Sequence, residues 1–217
     1  MNIEKLVNSR INRIADWIIR IIMINIMVIA SSLLIITIYP AVSAAYRLFH
    51  DYINGKSTPL FKGYITYFKE RLLKKISLTL MILILLGIGI SNVYYYNQNI
   101  QLSNSVFHII GYFVMISLLA MLYAVILYSF VVVTVDSNLK ITRIFKLSFF
   151  LAGKYYFRTL LLVITMSIPT VLLFYPQLFF IIVFAGVSIP IAIHALITNE
   201  VVYYLKGLGE VHNEIRN

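Results

Sequence analysis

Four histidines are the first residues to weigh, since an imidazole can hold a metal or move a proton near neutral pH. His50, His108, His194 and His212 fall in separate segments, and none has the spacing of a metal site. There is no cysteine, which removes thiolate nucleophiles, disulfides and Cys-ligated metals. Asn54-Gly55-Lys56-Ser57-Thr58 contains the Gly-Lys-Ser of a phosphate loop. The full motif needs a glycine five residues before the second glycine and a strand ahead of it. Here His50 holds that place and a helical pattern precedes it, so the stretch reads as a polar turn. No HExxH, no GxSxG and no carboxylate pair facing a common cavity is present. The chain is read as a non-enzyme, with no catalytic residue, cofactor or metal expected.

Three polar residues stand out by their surroundings. Asn25, Asn92 and His194 lie within or near the ends of uncharged apolar stretches. Amides in hydrocarbon bond across helices, and an ionisable group there is a functional candidate by default. Two readings stand for each: an internal hydrogen bond that holds helices together, or a contact to a transported solute. Gly87, Gly89, Pro169, Gly186 and Pro190 mark places where helices kink or approach closely. A second set is basic. Lys62, Lys69, Lys74 and Lys75 fall in one segment, and Lys140, Arg143 and Lys146 in another. Both segments show apolar residues at helical spacing, over Phe61–Ile76 and Leu139–Phe157. They read as amphipathic helices in a membrane interface, with cations toward anionic lipid phosphates or a partner protein.

The elements that carry these residues follow from where charge is absent. The chain has 217 residues, 61% hydrophobic and 12% charged, with 18 basic against 8 acidic side chains. Soluble domains carry about 25% charged residues. All the charges fall within 4–20, 47–75, 136–158 and 200–216, leaving 21–46, 76–135 and 159–198 uncharged. A spanning helix needs about 20 apolar residues, and a central Lys, Arg or Asp costs roughly 2.5–3.5 kcal/mol. The second uncharged stretch breaks at the Asn/Gln cluster 92–104, and the third at Tyr175-Pro176-Gln177, because proline cannot continue a helix. Five spans result, near 21–39, 76–96, 105–134, 157–174 and 178–200.

Positive charge sets the orientation. The turns at 97–104 and 175–177 have no Lys or Arg, whereas 47–75 has seven and 136–158 has five. The basic N-terminus and the 47–75 segment both belong in the cytoplasm. That requires a turn at Tyr39-Pro40 and a short sixth helix, about Ala41–Asn54. The fold class is an all-α polytopic bundle in one membrane domain, residues 1–217. Three helical hairpins, 17–54, 76–134 and 157–205, are joined by basic linkers at 55–75 and 136–156, with both termini cytoplasmic. A signal peptide is the rival reading of the start, but its apolar region would run only about 7–15 residues. Nucleic acid is not expected as a partner; the bilayer with its anionic headgroups is.

The run Trp17-Ile18-Ile19, Asn25, Ile35-Ile36-Thr37-Ile38-Tyr39-Pro40-Ala41 and Ala44-Ala45-Tyr46 resembles the start of the YesL-like bacterial membrane proteins (domain of unknown function 624). Phe61, Tyr67-Phe68-Lys69 and Leu73-Lys74-Lys75 resemble the Phe- and Lys-rich segment that follows in them. The resemblance implies a plasma-membrane protein without assigned activity. Its members often sit beside genes for sugar-uptake ABC transporters, which implies an accessory role in carbohydrate uptake with ABC transporter subunits as partners. It supplies no catalytic residue. A small carrier or channel for a neutral solute is the alternative.

Overall fold

The structure is a computed structural model that describes the backbone of residues 10–103 and 105–216 and the side chains of 12–103 and 105–208. Glu4, Lys5, the His212 side chain and the other side chains at both ends of the chain lie outside the described residues, as do the terminal positions whose side of the membrane was read above.

Every regular element among the described residues is helical. Helix α1 is Arg10–Ser31, followed by a 3-10 turn at Ile35–Thr37 and by α2, Ile38–Ile53. Then come α3 (Leu60–Lys69), α4 (Leu72–Ser103), α5 (Val106–Val135), α6 (Ile141–Lys154) and α7 (Tyr156–Leu173). Short turns at Pro176–Leu178 and Phe179–Ile181 lead into a π-helical stretch, Ile182–Gly186. The chain ends with α8 (Ser188–Ile197) and α9 (Asn199–Arg216).

Four of these helices are long and apolar enough to cross a bilayer: α1, α4, α5 and α7. Pro176–Gly186 with α8 makes a fifth as a pair bent by 52°. Their surfaces agree with a lipid setting. In α7 only 6% of the most apolar window is buried, in α1 17% and in α4 22%. Leu160, Leu161, Ile164 and Val171 all point outward. Each such side chain would lose roughly 1.5–3 kcal/mol by staying in water rather than being buried, and hydrocarbon removes that penalty.

Two compact units form, Met1–Glu70 with Ile164–Asn199, and Arg71–Val163 with Glu200–Asn217. In the first, α2 is the central element. Twelve of its residues are buried, including Ala41, Ala44, Ala45, Tyr46, Leu48 and Phe49. The small alanines let neighbouring backbones approach closely. Sixteen residues at 1.5 Å each give α2 a length of about 24 Å, and it carries Arg47, His50 and Asp51. It is not among the helices that pass as spans. The turn before it lies earlier than Tyr39-Pro40: the chain reverses over 32–37, and Pro40 sits in the first turn of α2. There the missing N–H has no helical partner to lose. Thr37 secures the reversal by donating its hydroxyl to Ser31 O at 2.6 Å.

In the second unit α4 and α5 form a hairpin. The expected break at the Asn/Gln cluster is narrower than the sequence suggests, because α4 runs on to Ser103. The polar side chains are accommodated by bonds back to their own helix, as Asn99 to Tyr95 O at 2.8 Å and Ser103 to Asn99 O at 2.9 Å. A helix that continues past the hydrocarbon edge can solvate such groups. The C-terminal half of α5 packs into the unit core through Leu127, Tyr128 and Val131, joined by Ile144 and Leu151 of α6.

Both basic linkers are helical but neither continues unbroken into the next span. Between α3 and α4 the chain breaks at Glu70-Arg71, where Arg71 has φ +52°. Between α6 and α7 it breaks at Tyr155. The apolar periodicity read over Phe61–Ile76 therefore runs across a left-handed residue, which sequence periodicity does not register.

Candidate functional site

The broken helix after Pro176 positions the most unusual polar cluster of the first unit. A π-helical turn shifts the hydrogen-bond register, so backbone groups at its end lose their α-helical partners. Val187 N–H and Val183 C=O are the pair that a continuous α-helix would join. Instead both bond to Asn25 of α1. Val187 N–H and Ser188 N–H donate to Asn25 Oδ1 at 3.0 and 2.9 Å. Asn25 Nδ2 donates to Ile182 O at 2.8 Å and Val183 O at 2.7 Å. Two donors and two acceptors of one carboxamide are thus matched to two acceptors and two donors of the break. Asn25 is fully buried. Gly186 sits inside the break, where an added Cβ would approach Ile181 O to 3.2 Å. Pro190 falls in the first turn of α8, where its missing N–H is harmless.

One turn further, His194 is fully buried, with its ring 4.9 Å from the Tyr46 ring. Its backbone carbonyl accepts the Thr198 hydroxyl at 2.7 Å, and that hydroxyl shares a 2.7 Å bond with Tyr46 OH. Asn54 donates to Asn199 Oδ1 at 3.0 Å. These contacts fasten the end of α8 to α2. Asn92 behaves differently. Its amide donates to Ile88 O at 2.8 Å, one turn back on its own helix. The three are engaged in different ways: Asn25 bonds across helices, His194 packs between them, and Asn92 bonds locally.

A buried carboxylate forms a further cluster that the sequence did not single out. Asp51 is 2% exposed and accepts Lys56 Nζ at 2.9 Å, Thr58 Oγ1 at 3.1 Å and the Tyr67 hydroxyl of α3. Burial pushes its pKa up, but the hydrogen bonds from Tyr67, Lys56 and Thr58 and the Lys56 charge outweigh that and leave it below its usual value. Arg47 lies over the Tyr67 ring, 4.3 Å to its centre, and pairs with Glu70. The phosphate-loop fragment is explained here. Gly55 has φ +72°, Gly55 N–H bonds Tyr52 O and Lys56 N–H bonds Asp51 O, which is a glycine helix stop of the Schellman type. Tyr64 ties α3 to the first reversal by a 2.6 Å bond to Ser31 Oγ. Burial pushes the Tyr64 phenol up to about 12.

The expected basic surface separates into two classes. Lys62 and Lys69 are exposed on α3, and Lys140, Arg143 and Lys146 are exposed at the start of α6. Lys75 is buried, and Lys74 is half-buried. Lys74 donates to Ser137 O at 2.8 Å and to Leu139 O, and Lys75 is 4% exposed. Arg71 adds a bond to Asn138 Oδ1. Lys74 is drawn in by the carbonyl oxygens of the loop after α5. Among the described residues no group of three His, Cys, Asp or Glu could hold a metal.

A family model described as a protein of unknown function, DUF624, matches residues 21–93. The match covers Asn25, α2, the Asp51 cluster and α3. No curated protein matches the chain, and no solved structure does.

Proposed function

Taking residues 21–93 as placing the chain in the DUF624 family, we propose that it is a non-enzymatic, multi-pass accessory protein of the cell membrane that attaches to a transporter. The proposed arrangement is three hairpins with both termini cytoplasmic, so that Lys62, Lys69, Lys140, Arg143 and Lys146 face the cytoplasmic side. The proposed partner is a sugar-uptake ABC transporter, an element that enters from the family resemblance.

The observation that carries this reading is the state of Asn25. Its two N–H groups and its oxygen are engaged by four backbone groups of the same chain. An amide lining a solute path keeps part of that capacity for its cargo. The second reading, a carrier for a neutral solute, draws on the same break, because discontinuous helices are where transporters build their sites.

The two readings separate on one preparation. The tagged full-length protein is extracted from its native membrane in mild detergent. Recovery of ABC transporter subunits in stoichiometric amount supports the accessory role. Uptake of a neutral sugar by vesicles containing the purified protein alone overturns it in favour of the carrier.

A further inference from the structure

Unit two contains clefts that join a cationic surface to an apolar groove. The first, about 500 Å³, is lined by Asp136, Asn138, Leu139, Lys140, Thr142, Arg143 and Lys146. A second, about 360 Å³, shares Lys146 with it and is otherwise walled by apolar side chains, Leu118, Met121, Leu122 and Val125 of α5 with Phe145 and Phe149 of α6. A third, about 740 Å³, shares Met121 and Phe149 with the second and extends past Ala124, Phe150 and Gly153 to Lys154 and Thr159. Sharing these residues, the three clefts adjoin in a path along the α5–α6 contact, cationic at the Lys140–Lys146 end, apolar through the middle and reaching Lys154 at the far end.

We propose that this path is a binding site for one anionic phospholipid. The phosphate sits among Lys140, Arg143 and Lys146, and an acyl chain lies in the groove between α5 and α6. Charge complementarity selects the occupant. Three cations stand against the single carboxylate of Asp136, whose Oδ1 already accepts Asn138 N–H at 2.8 Å. Arg143 and Lys146 are three residues apart on α6 and so share a face. A cation near a bilayer surface gains about 1 kcal/mol from anionic lipid. Free inorganic phosphate satisfies the cations but leaves the apolar groove unfilled, and a zwitterionic lipid fills the groove but carries no net charge. The site rests on the chain being embedded in a bilayer and not on its docking a transporter.

The groove can be closed without damage to the fold. Gly153 lines it and is exposed, and a Cβ added there meets nothing within 4 Å. Leucine at this helical position is also a better helix former than glycine.

The test uses the purified full-length protein in detergent, titrated with phosphatidylglycerol, phosphatidylcholine or inorganic phosphate. Bound lipid is counted by native mass spectrometry, and melting temperature is followed in parallel. Phosphatidylglycerol is expected to bind one per chain, on the order of tenfold more tightly than phosphatidylcholine, which is about 1.4 kcal/mol. K140Q/R143Q/K146Q should abolish that preference. Gly153→Leu should weaken both lipids several-fold while melting normally without lipid. K62Q/K69Q, which removes exposed charge from α3, should leave binding unchanged. Equal binding of the two lipids, equal loss in the α3 variant, retention of tight binding in Gly153→Leu, or protection by phosphate alone would each overturn the proposal. None of these outcomes bears on whether transporter subunits co-purify.

Discussion

Val187 N–H donates to Asn25 Oδ1 at 3.0 Å, a bond that joins α1 to the break in the last apolar pair across 162 positions of sequence. The same carboxamide accepts one further N–H and donates to two carbonyls. A side chain inserted into the i→i−4 ladder is a recognised cause of sharp bends, and here the bend measures 52°.

Asn25 should therefore tolerate no isostere. Asn25→Leu leaves four backbone groups without their partner and is expected to destabilise the protein by about 2–4 kcal/mol, since a buried unsatisfied group costs roughly 1–3 kcal/mol and membrane hydrogen bonds are individually weak. Asn25→Asp matches the shape but turns an acceptor toward Ile182 O and Val183 O, so a loss of similar size is expected. Unfolding titrations in mixed micelles measure both. Wild-type stability in either variant contradicts the role given to Asn25.

Asp51 predicts an acid-sensitive fold. Its pKa lies below the usual value because Tyr67, Lys56 and Thr58 hydrogen-bond the carboxylate. A group depressed in this way stabilises the folded state above its unfolded pKa and loses that contribution as pH falls through the folded one. Melting temperature should hold steady near neutrality and fall below roughly pH 4. Asp51→Asn should melt lower at pH 7 and show a flatter acid limb. Tyr67→Phe, which removes one bond to the carboxylate, should cost about 1.5–3 kcal/mol at neutral pH.

Two glycines set the spacing of the α4–α5 hairpin. A Cβ on Gly111 would come within 2.5 Å of the Tyr96 ring, and one on Gly89 within 2.4 Å of a Leu119 methyl. The rigid ring yields less easily than the end of a leucine. Gly111→Val is expected to destabilise by about 1–3 kcal/mol, and Gly89→Ala by less. The order of the two melting temperatures is the check.

The absence of native cysteine permits a clean topology measurement. Single cysteines at Gln98 or Ser103 should react with an impermeant maleimide in intact cells. Those at Lys62 or Lys140 should react only after the membrane is opened. Labelling of Lys140→Cys from outside would invert the proposed orientation.

Much of the architecture was legible in the sequence because hydrocarbon acts on each residue where it stands. A charge in a span carries its penalty whatever its neighbours, so the uncharged stretches mark the apolar runs without knowledge of packing. The helical character of the linkers was legible for the same local reason. The Asn/Gln cluster misled because the same polar side chains that suggest a turn can bond one turn back along a helix, as Asn99 and Ser103 do. Lys74 misled because a basic residue near a membrane is read as surface until a loop of carbonyls is found beside it, and Lys75 because nothing in its type or spacing marks it as buried.

Sequence by itself determined that this chain is all-α, where charge and apolar runs alternate, and that Asn25 was worth attention. Only the tertiary structure decided what Asn25 does. Its partners lie 157 to 163 residues away, and nothing in the pattern near Gly186 and Pro190 states which helix will supply the missing donors and acceptors. Lipid selects residues one at a time, whereas the repair of a broken helix depends on a neighbour brought close by the fold.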